Sequence, residues 1–280
     1  MASGVPCRLC GSDGLLLADR GDVALYRCAR CGFVSGRPVV PLSPEDYYDN
    51  YYQGPQPAGP AARYEEWLAC AEARVGRGRL LEVGAGVGGF VRVALRRGWT
   101  VEATELSRTA LALLSTTSAT CFAGDLEEAH YTDGRFDLVV SLEVLEHLGD
   151  PPRHLKEICR IVRPGGLLLL TTPNFDGFSR KTLGLRWRVV HAEHLGYFTT
   201  RTLGTALSQA GFREIDVRSR SLDVTAWKDP TKVTPFDPAV SAWLRDFIDR
   251  SLVLRGVKNV VNRGLNVLGL GDSLLAWARK

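Results

Sequence analysis

From residue 64 onward the apolar positions recur with two alternating periods. Three-to-four spacing predicts helices over YEEWLACAEARV (64–75), VGGFVRVALRRG (87–98), SRTALALLST (107–116), DPPRHLKEICRIV (150–162) and TTRTLGTALSQAG (199–211). Short apolar runs between them predict strands over RLLEV (79–83), WTVEATE (99–105), TCFAGD (120–125), RFDLVVSLE (135–143), GLLLLTTP (166–173) and REIDVRSRS (213–221). Ser107 and Asp150 stand where helix N-caps belong, Pro151 at a first helical position, and Gly98 at a stop. Strands alternating with helices of this length fold as an α/β doubly wound, mostly parallel sheet. Ligands of such sheets sit beyond the carboxyl ends of the strands.

Composition changes this picture little. The chain has 280 residues, 45% hydrophobic and 24% charged, with a net charge of +4. That is ordinary for a globular chain, and too mildly basic to argue for nucleic acid by itself. No apolar run approaches the roughly 20 residues of a membrane span. MASGVPCRLC has no charged-then-apolar leader pattern, so the expected compartment is the cytoplasm.

Cysteine spacing adds chemistry. Cys7, Cys10, Cys28 and Cys31 form two Cys-x-x-Cys pairs, each followed by a glycine, Gly11 and Gly32. Two such turns complete a tetrahedral four-thiolate zinc site. A closed site has no open position for a substrate, so a structural zinc is expected. Cys70, Cys121 and Cys159 stand in apolar surroundings and read as core fillers. The stretch 36–64 is dense in Pro, Gly and Tyr, and Pro55, Pro57 and Pro60 forbid a continuous helix. YYDNYY is too apolar for a free tether, so the segment is expected to lie over the next domain, at the mouth of its pocket. The organisation is then a zinc-ribbon-like segment (1–40), a packed linker (41–63) and a large domain (64–280).

Four glycines crowd LLEVGAGVGG (80–89), a strand-to-helix turn. A dinucleotide would put its pyrophosphate there. Glu82 argues instead for a ligand carrying positive charge. Glu105 ends the second strand, where a carboxylate can take both ribose hydroxyls, and Asp125 ends the third, where it can accept from an adenine amino group. Glu105 as a helix cap and Asp125 as a turn residue are the structural alternatives.

Residues 79–173 resemble a class I S-adenosylmethionine-dependent methyltransferase. The motifs are LLEVGAGVGGF, Glu105, AGDLEE, FDLVVSLEVLEHLGDP and EICRIVRPGGLLLLTTPN. The resemblance implies a seven-stranded Rossmann-like sheet and a cofactor held by Glu82, Gly84, Ala85, Gly86, Gly88, Glu105, Leu106, Asp125, Leu126 and Leu142. It also implies a closing antiparallel hairpin, with REIDVRSRS as first strand and GDSLLAWARK as second. Residues 223–270 then form a helical insertion, a lid or dimer surface, with Trp243, Leu244, Phe247, Ile248, Leu252, Leu254 and Val257 at helical spacing.

Methyl transfer to a hydroxyl needs an oriented nucleophile and a proton acceptor. Glu143, Glu146 and His147 follow the fourth strand; His191, Glu193, His194 and Tyr197 lie in the loop after the fifth. His194 and His147 are the expected bases, His194 foremost. His191 with His194 as a metal pair lacks a third ligand in the sequence. Arg180, Lys181, Arg186 and Arg188 crowd the same loop and suit an anionic acceptor, a nucleotide-linked sugar or a carrier-bound intermediate. The expected function is O-methylation of a small molecule such as a sugar or secondary metabolite, by a protein able to form a homodimer. A zinc-ribbon rRNA base methyltransferase is the first alternative, disfavoured by the absence of a Lys/Arg run in the ribbon and of an Asn-Pro-Pro-Tyr-like motif. A non-catalytic cofactor-binding or scaffold protein is the second.

Overall fold

The computed structural model describes residues 5–40, 52, 61–222 and 252–280. The larger of two sheets carries β5 (Arg79–Val83), β6 (Thr100–Glu105), β7 (Thr120–Ala123), β8 (Phe136–Leu142) and β9 (Val162–Pro173), all parallel. β11 (Arg213–Arg220) and β12 (Ser273–Arg279) close it antiparallel, giving the order β11-β12-β9-β8-β5-β6-β7. The chain-terminal strand therefore inserts between β9 and β11, as the resemblance implied.

The side-chain alternation of the strands splits the core into two faces. Leu80, Leu138, Val140 and Leu169 pack under Trp67, Leu68 and Ala71 of α1 (Ala61–Val75) and Phe90, Val91 and Ala94 of α2 (Gly89–Arg96). Leu81, Val139, Leu168 and Leu170 pack under Leu155 and Ile158 of α4 (Pro151–Ile161) and Leu203 and Leu207 of α6 (Thr200–Ala210). Caps fix the helix starts. Ser107 accepts from Ala110 N ahead of α3 (Arg108–Leu114), Asp150 from Arg153 N ahead of α4, and Thr199 shares a capping box with Thr202 ahead of α6.

The smaller sheet is a meander of β1 (Val5–Pro6), β2 (Asp13–Asp19), β3 (Val23–Cys28) and β4 (Val34–Pro38). A fifth strand comes from far along the chain: β10 (Gly196–Tyr197) pairs with β4, Gly196 opposite Ser35 and Tyr197 opposite Val34. The start of the Pro/Gly/Tyr-rich stretch belongs to this sheet, because residues 36–38 continue the β4 pairing with β3. The sheet's core is borrowed as well. Val23, Leu25 and Val34 pack on Phe175, Trp187, Val190 and Tyr197, all from the segment after β9. A bridge between Asn174 and Phe198 holds that segment to the carboxyl end of β9.

α5 (Phe178–Leu183) and α7 (Leu252–Val267) complete the described elements. α7 supplies a helix to the expected insertion and leaves Val260 and Val261 exposed. Trp243, Leu244, Phe247 and Ile248 lie outside the described residues, as does all of 41–60 except Tyr52. Among the described residues no helix is long and apolar enough to cross a membrane.

Candidate active site

The glycine-rich turn begins where β5 ends. Gly84 N and Ala85 N both donate to Thr104 O, at 2.9 and 3.1 Å, so the turn is tied to the neighbouring strand. Gly84, Gly86 and Gly88 have φ of +65°, +52° and +78°, a region that disfavours side chains. Space forbids them too. A Cβ on Gly84 would lie 2.7 Å from Val144 Cγ2, and one on Gly86 would lie 2.7 Å from Tyr52 Oη. Tyr52 comes from YYDNYY, so one tyrosine of that segment does lie on the turn.

Glu82 stands beneath the turn and is buried. Burial, reinforced by the charge of Glu105, pushes its carboxyl well above the usual range, against the amide of Val91. Its Oε2 has no hydrogen-bond partner. A buried carboxylate oxygen short of a donor, below a turn too tight for side chains, has the chemistry to receive a cationic group.

Glu105 does two jobs. Its Oε2 accepts from Gly86 N at 2.7 Å, and its Oε1 accepts from Leu106 N and Ser107 N, both at 2.9 Å. A carboxylate has about four acceptor positions, so one remains for a ligand hydroxyl. Leu106, beside it, is 38% exposed, a large apolar side chain held open at the strand end. Asp125 is exposed and locked in a turn: Glu128 N donates to Asp125 Oδ1 at 2.8 Å and Asp125 N to Glu128 Oε2 at 3.2 Å. Leu126 is buried in the core, Ala85 is buried and Leu142 half-buried.

Beyond β8 the backbone is strained. Glu143 has φ +56° and donates its amide to Thr171 O at 3.0 Å. A single 3₁₀ turn, Leu145–His147, follows. Glu146 is buried and accepts from Thr172 Oγ1 at 2.8 Å. Burial and the charge of Glu143 push its carboxyl well above the usual range.

The two candidate base regions, separate in sequence, meet here. Leu195 N donates to Glu146 O at 2.8 Å. The His147 and His194 rings lie edge to face at 4.6 Å between centroids, and His191 stacks on His194 at 3.9 Å. His191 Nδ1 lies 3.0 Å from Glu193 Oε2, and Tyr197 closes the group at 6.1 Å from His194. Burial, then the His191 charge, pushes His147 down to about 4 and holds His194 well below the usual imidazole range. His194 is only 7% exposed, whereas His147 is half-buried.

Of the cationic loop residues, Arg180 turns inward, stacking over Phe175 at 4.5 Å from the ring centroid. Its Nε is buried without a partner. Arg27 of β3 lies over the same ring at 5.9 Å. Lys181, Arg186 and Arg188 are exposed. Sequence reasoning missed Thr172, Phe175 and Arg27. TTPN gave no polar periodicity to mark Thr172, and Arg27 reaches this place only because the small sheet docks here.

The methyltransferase domain family matches residues 60–217. A malonyl-[acyl-carrier protein] O-methyltransferase of Serratia marcescens is 30% identical over 148 residues, 52% of this chain and 57% of that protein. A tRNA U34 carboxymethyltransferase of Syntrophotalea carbinolica is 33% identical over 132 residues, 47% of this chain and 39% of that one. The chain thus spans about two-fifths to three-fifths of the length of these curated relatives. The crystal structure of a SAM-dependent methyltransferase from Archaeoglobus fulgidus superposes with a TM-score of 0.54 at 15% identity, covering 84% of this chain and 99% of that one.

Proposed function

The chain belongs to the methyltransferase domain family and is an S-adenosylmethionine-dependent methyltransferase of the class I fold, and on that premise we propose that it methylates an oxygen of a small anionic acceptor. The observation that carries the cofactor side is Glu82, buried with an unpartnered oxygen under the Gly84–Gly88 turn. When bound, the cofactor supplies an electrophilic methyl on a sulfonium. The turn, Ala85 and Glu82 take its methionine part, and Glu105 takes the ribose. Leu106, Asp125, Leu126 and Leu142 form the wall for the adenine.

The acceptor side falls to the residues beyond β8 and β9. His147 is the less buried imidazole and takes the hydroxyl proton as the oxygen attacks. His194, edge-on behind it, fixes its ring and is the second candidate base. Arg180 and Arg27, held over one aromatic ring, supply charge for an acidic acceptor such as a nucleotide-linked sugar or carrier-bound acyl group. The malonyl-[acyl-carrier protein] relative methylates an oxygen of an acceptor of that class. The tRNA-directed relative supports RNA as a second reading.

The cysteine cluster is proposed as a structural zinc site. Cys7 Sγ lies 3.6 Å from Cys31 Sγ and Cys10 Sγ 3.5 Å from Cys28 Sγ, a spacing suited to four thiolates around one ion. Leu9 N and Cys31 N donate to Cys7 and Cys28 sulfurs, as in zinc knuckles. Free thiols fit a reducing cytoplasm. The exposed apolar residues of α7 support the homodimer expectation.

Transfer of labelled methyl groups from S-adenosylmethionine tests the acceptor. Sugar nucleotides, carrier-bound acids, phenols and tRNA are offered in parallel. Label in an acidic small molecule as a methyl ether or ester supports the reading; label confined to tRNA transfers the assignment to RNA.

A further inference from the structure

The Cys₄ group accounts for one cluster of metal-ligating side chains; a second lies at the carboxyl ends of β8 and β9. Glu146, His147 and His194 each offer one ligand atom, and these atoms all fall within 4.8 Å of one another. The sequence showed only a His191–His194 pair without a third ligand. The fold supplies a different triple by laying the loop before β10 across the turn after β8.

Each of the three is held from behind. Thr172 Oγ1 donates to Glu146 Oε2 at 2.8 Å, and Leu195 N ties the backbone of Glu146 to the loop carrying His194. The His147 ring donates to the carbonyl of Glu193, and the His194 ring to that of Val189. An imidazole tied by one nitrogen to a carbonyl presents a lone pair on the other, the arrangement that orients histidine ligands. His194 is 7% exposed and its Nδ1 has no partner. A buried ring nitrogen without a donor, on a histidine whose ligand atom lies within 4.8 Å of those of a second imidazole and a carboxylate, is the independent observation that points to a ligand.

We propose that Glu146, His147 and His194 bind a divalent transition-metal ion of the zinc class. Two imidazoles and one carboxylate suit zinc and its neighbours, whereas magnesium and calcium want oxygen alone. Three protein ligands leave a fourth position open, the pattern of catalytic sites and unlike the closed Cys₄ set. His147 is half-buried, so the set reaches solvent on its side. Resting on the methyltransferase reading, the open position takes the acceptor's hydroxyl oxygen. The ion lowers that hydroxyl's pKa, its proton passes to solvent, and the oxygen is left charged for attack on the methyl. With the ion bound the two histidines act through it, and the base role given to His147 above belongs to the metal-free form.

The test is a metal count on the full chain. Protein is stripped with chelator, titrated with Co²⁺ alone and followed by absorption, and zinc-loaded samples are analysed for elemental content. Two ions per chain are expected. One shows thiolate-to-cobalt charge transfer and the other adds visible bands without it. Glu146→Gln and His147→Gln should each bring the count to one and keep the thiolate band, which shows that the small sheet still folds. Glu146→Asp should recover part of the second equivalent. A wild-type count of one, with all cobalt thiolate-bound, overturns the proposal, as does a second ion that survives both substitutions. Calorimetric binding of S-adenosylmethionine in the same samples separates the two readings. A count of two without cofactor binding refutes the methyltransferase assignment alone; a count of one with cofactor binding refutes the metal site alone.

Discussion

Gly86 donates its amide to Glu105 Oε2 across 2.7 Å, so the glycine turn after β5 and the acid ending β6 are one unit. The same carboxylate receives two further amides, those of Leu106 and Ser107. Glu105→Ala therefore removes the acceptor of three buried or half-buried N–H groups as well as the proposed ribose ligand. A hydrogen bond to a charged group contributes about 1.5–3 kcal/mol. S-adenosylmethionine affinity should fall on the order of 10- to 100-fold, together with a lower melting temperature. Calorimetry and a thermal melt on one sample check both; unchanged affinity would remove Glu105 from the cofactor site.

Glu82 separates binding from stability in the opposite sense. Its folded-state pKa lies above its unfolded value, so the protonated group favours folding at low pH. That contribution is lost as pH rises above the ordinary carboxylate range. Glu82→Gln should leave the cofactor-free protein as stable at neutral pH, or more so by on the order of 1 kcal/mol, while weakening cofactor binding at least about tenfold. A variant that is less stable yet binds normally would make Glu82 a structural residue.

Much of this was legible in the chain. The two hydrophobic periods gave the layers of the large sheet, because every β-α unit buries a regular face. Glu82, the glycines and Glu105 were legible because a turn at φ near +60° and a strand-end acid leave local signatures. The small sheet's dependence on β10 was not, since a two-residue strand has no period. Nor was the meeting of His147 with His194, which depends on how the loop after β9 lies across a 3₁₀ turn. Asp125 shows the remaining ambiguity: a strand-end acid and a turn-capping acid look alike in sequence, and its contacts with Glu128 are those of a turn.

Zinc at the cysteine cluster should be a folding ligand. Cys7→Ser with Cys10→Ser should remove one zinc per chain by elemental analysis and lower the melting temperature, because binding energy at a closed site is folding energy. The small sheet packs on Phe175, Trp187 and Tyr197, so the loop carrying His194 should loosen with it. Faster hydrogen exchange over 187–197 is the expected sign. Lost activity with stability and exchange unchanged would assign the metal a chemical role.

An acid-sensitive tie joins α1 to α2. Arg97 donates to Glu72 through Nε and Nη2, at 2.7 and 2.8 Å, and Trp99 Nε1 adds a third donor at 3.2 Å. The Arg97 guanidinium holds the Glu72 carboxyl down at about 2, from 4.5. A depressed carboxyl contributes stability that is full above its unfolded pKa and is lost as pH falls from about 4.5 toward 2. Glu72→Gln should cost on the order of 2 kcal/mol at pH 7 and flatten the stability curve in that acid window. Denaturant titrations at pH 7 and pH 3 read it; parallel curves for wild type and variant would show the pair contributes nothing.

The central claim is that S-adenosylmethionine binds on the Gly84–Gly88 turn. A Cβ at Gly86 would need a φ of +52° and would lie 2.7 Å from Tyr52 Oη, in the space between the turn and that ring. The most direct measurement is calorimetric titration of S-adenosylmethionine into wild type and Gly86→Val, with circular dichroism on both. One cofactor per chain in the wild type and none in a still-folded Gly86→Val is the predicted result. Equal affinity in the two proteins, or no binding by the wild type, would contradict the account.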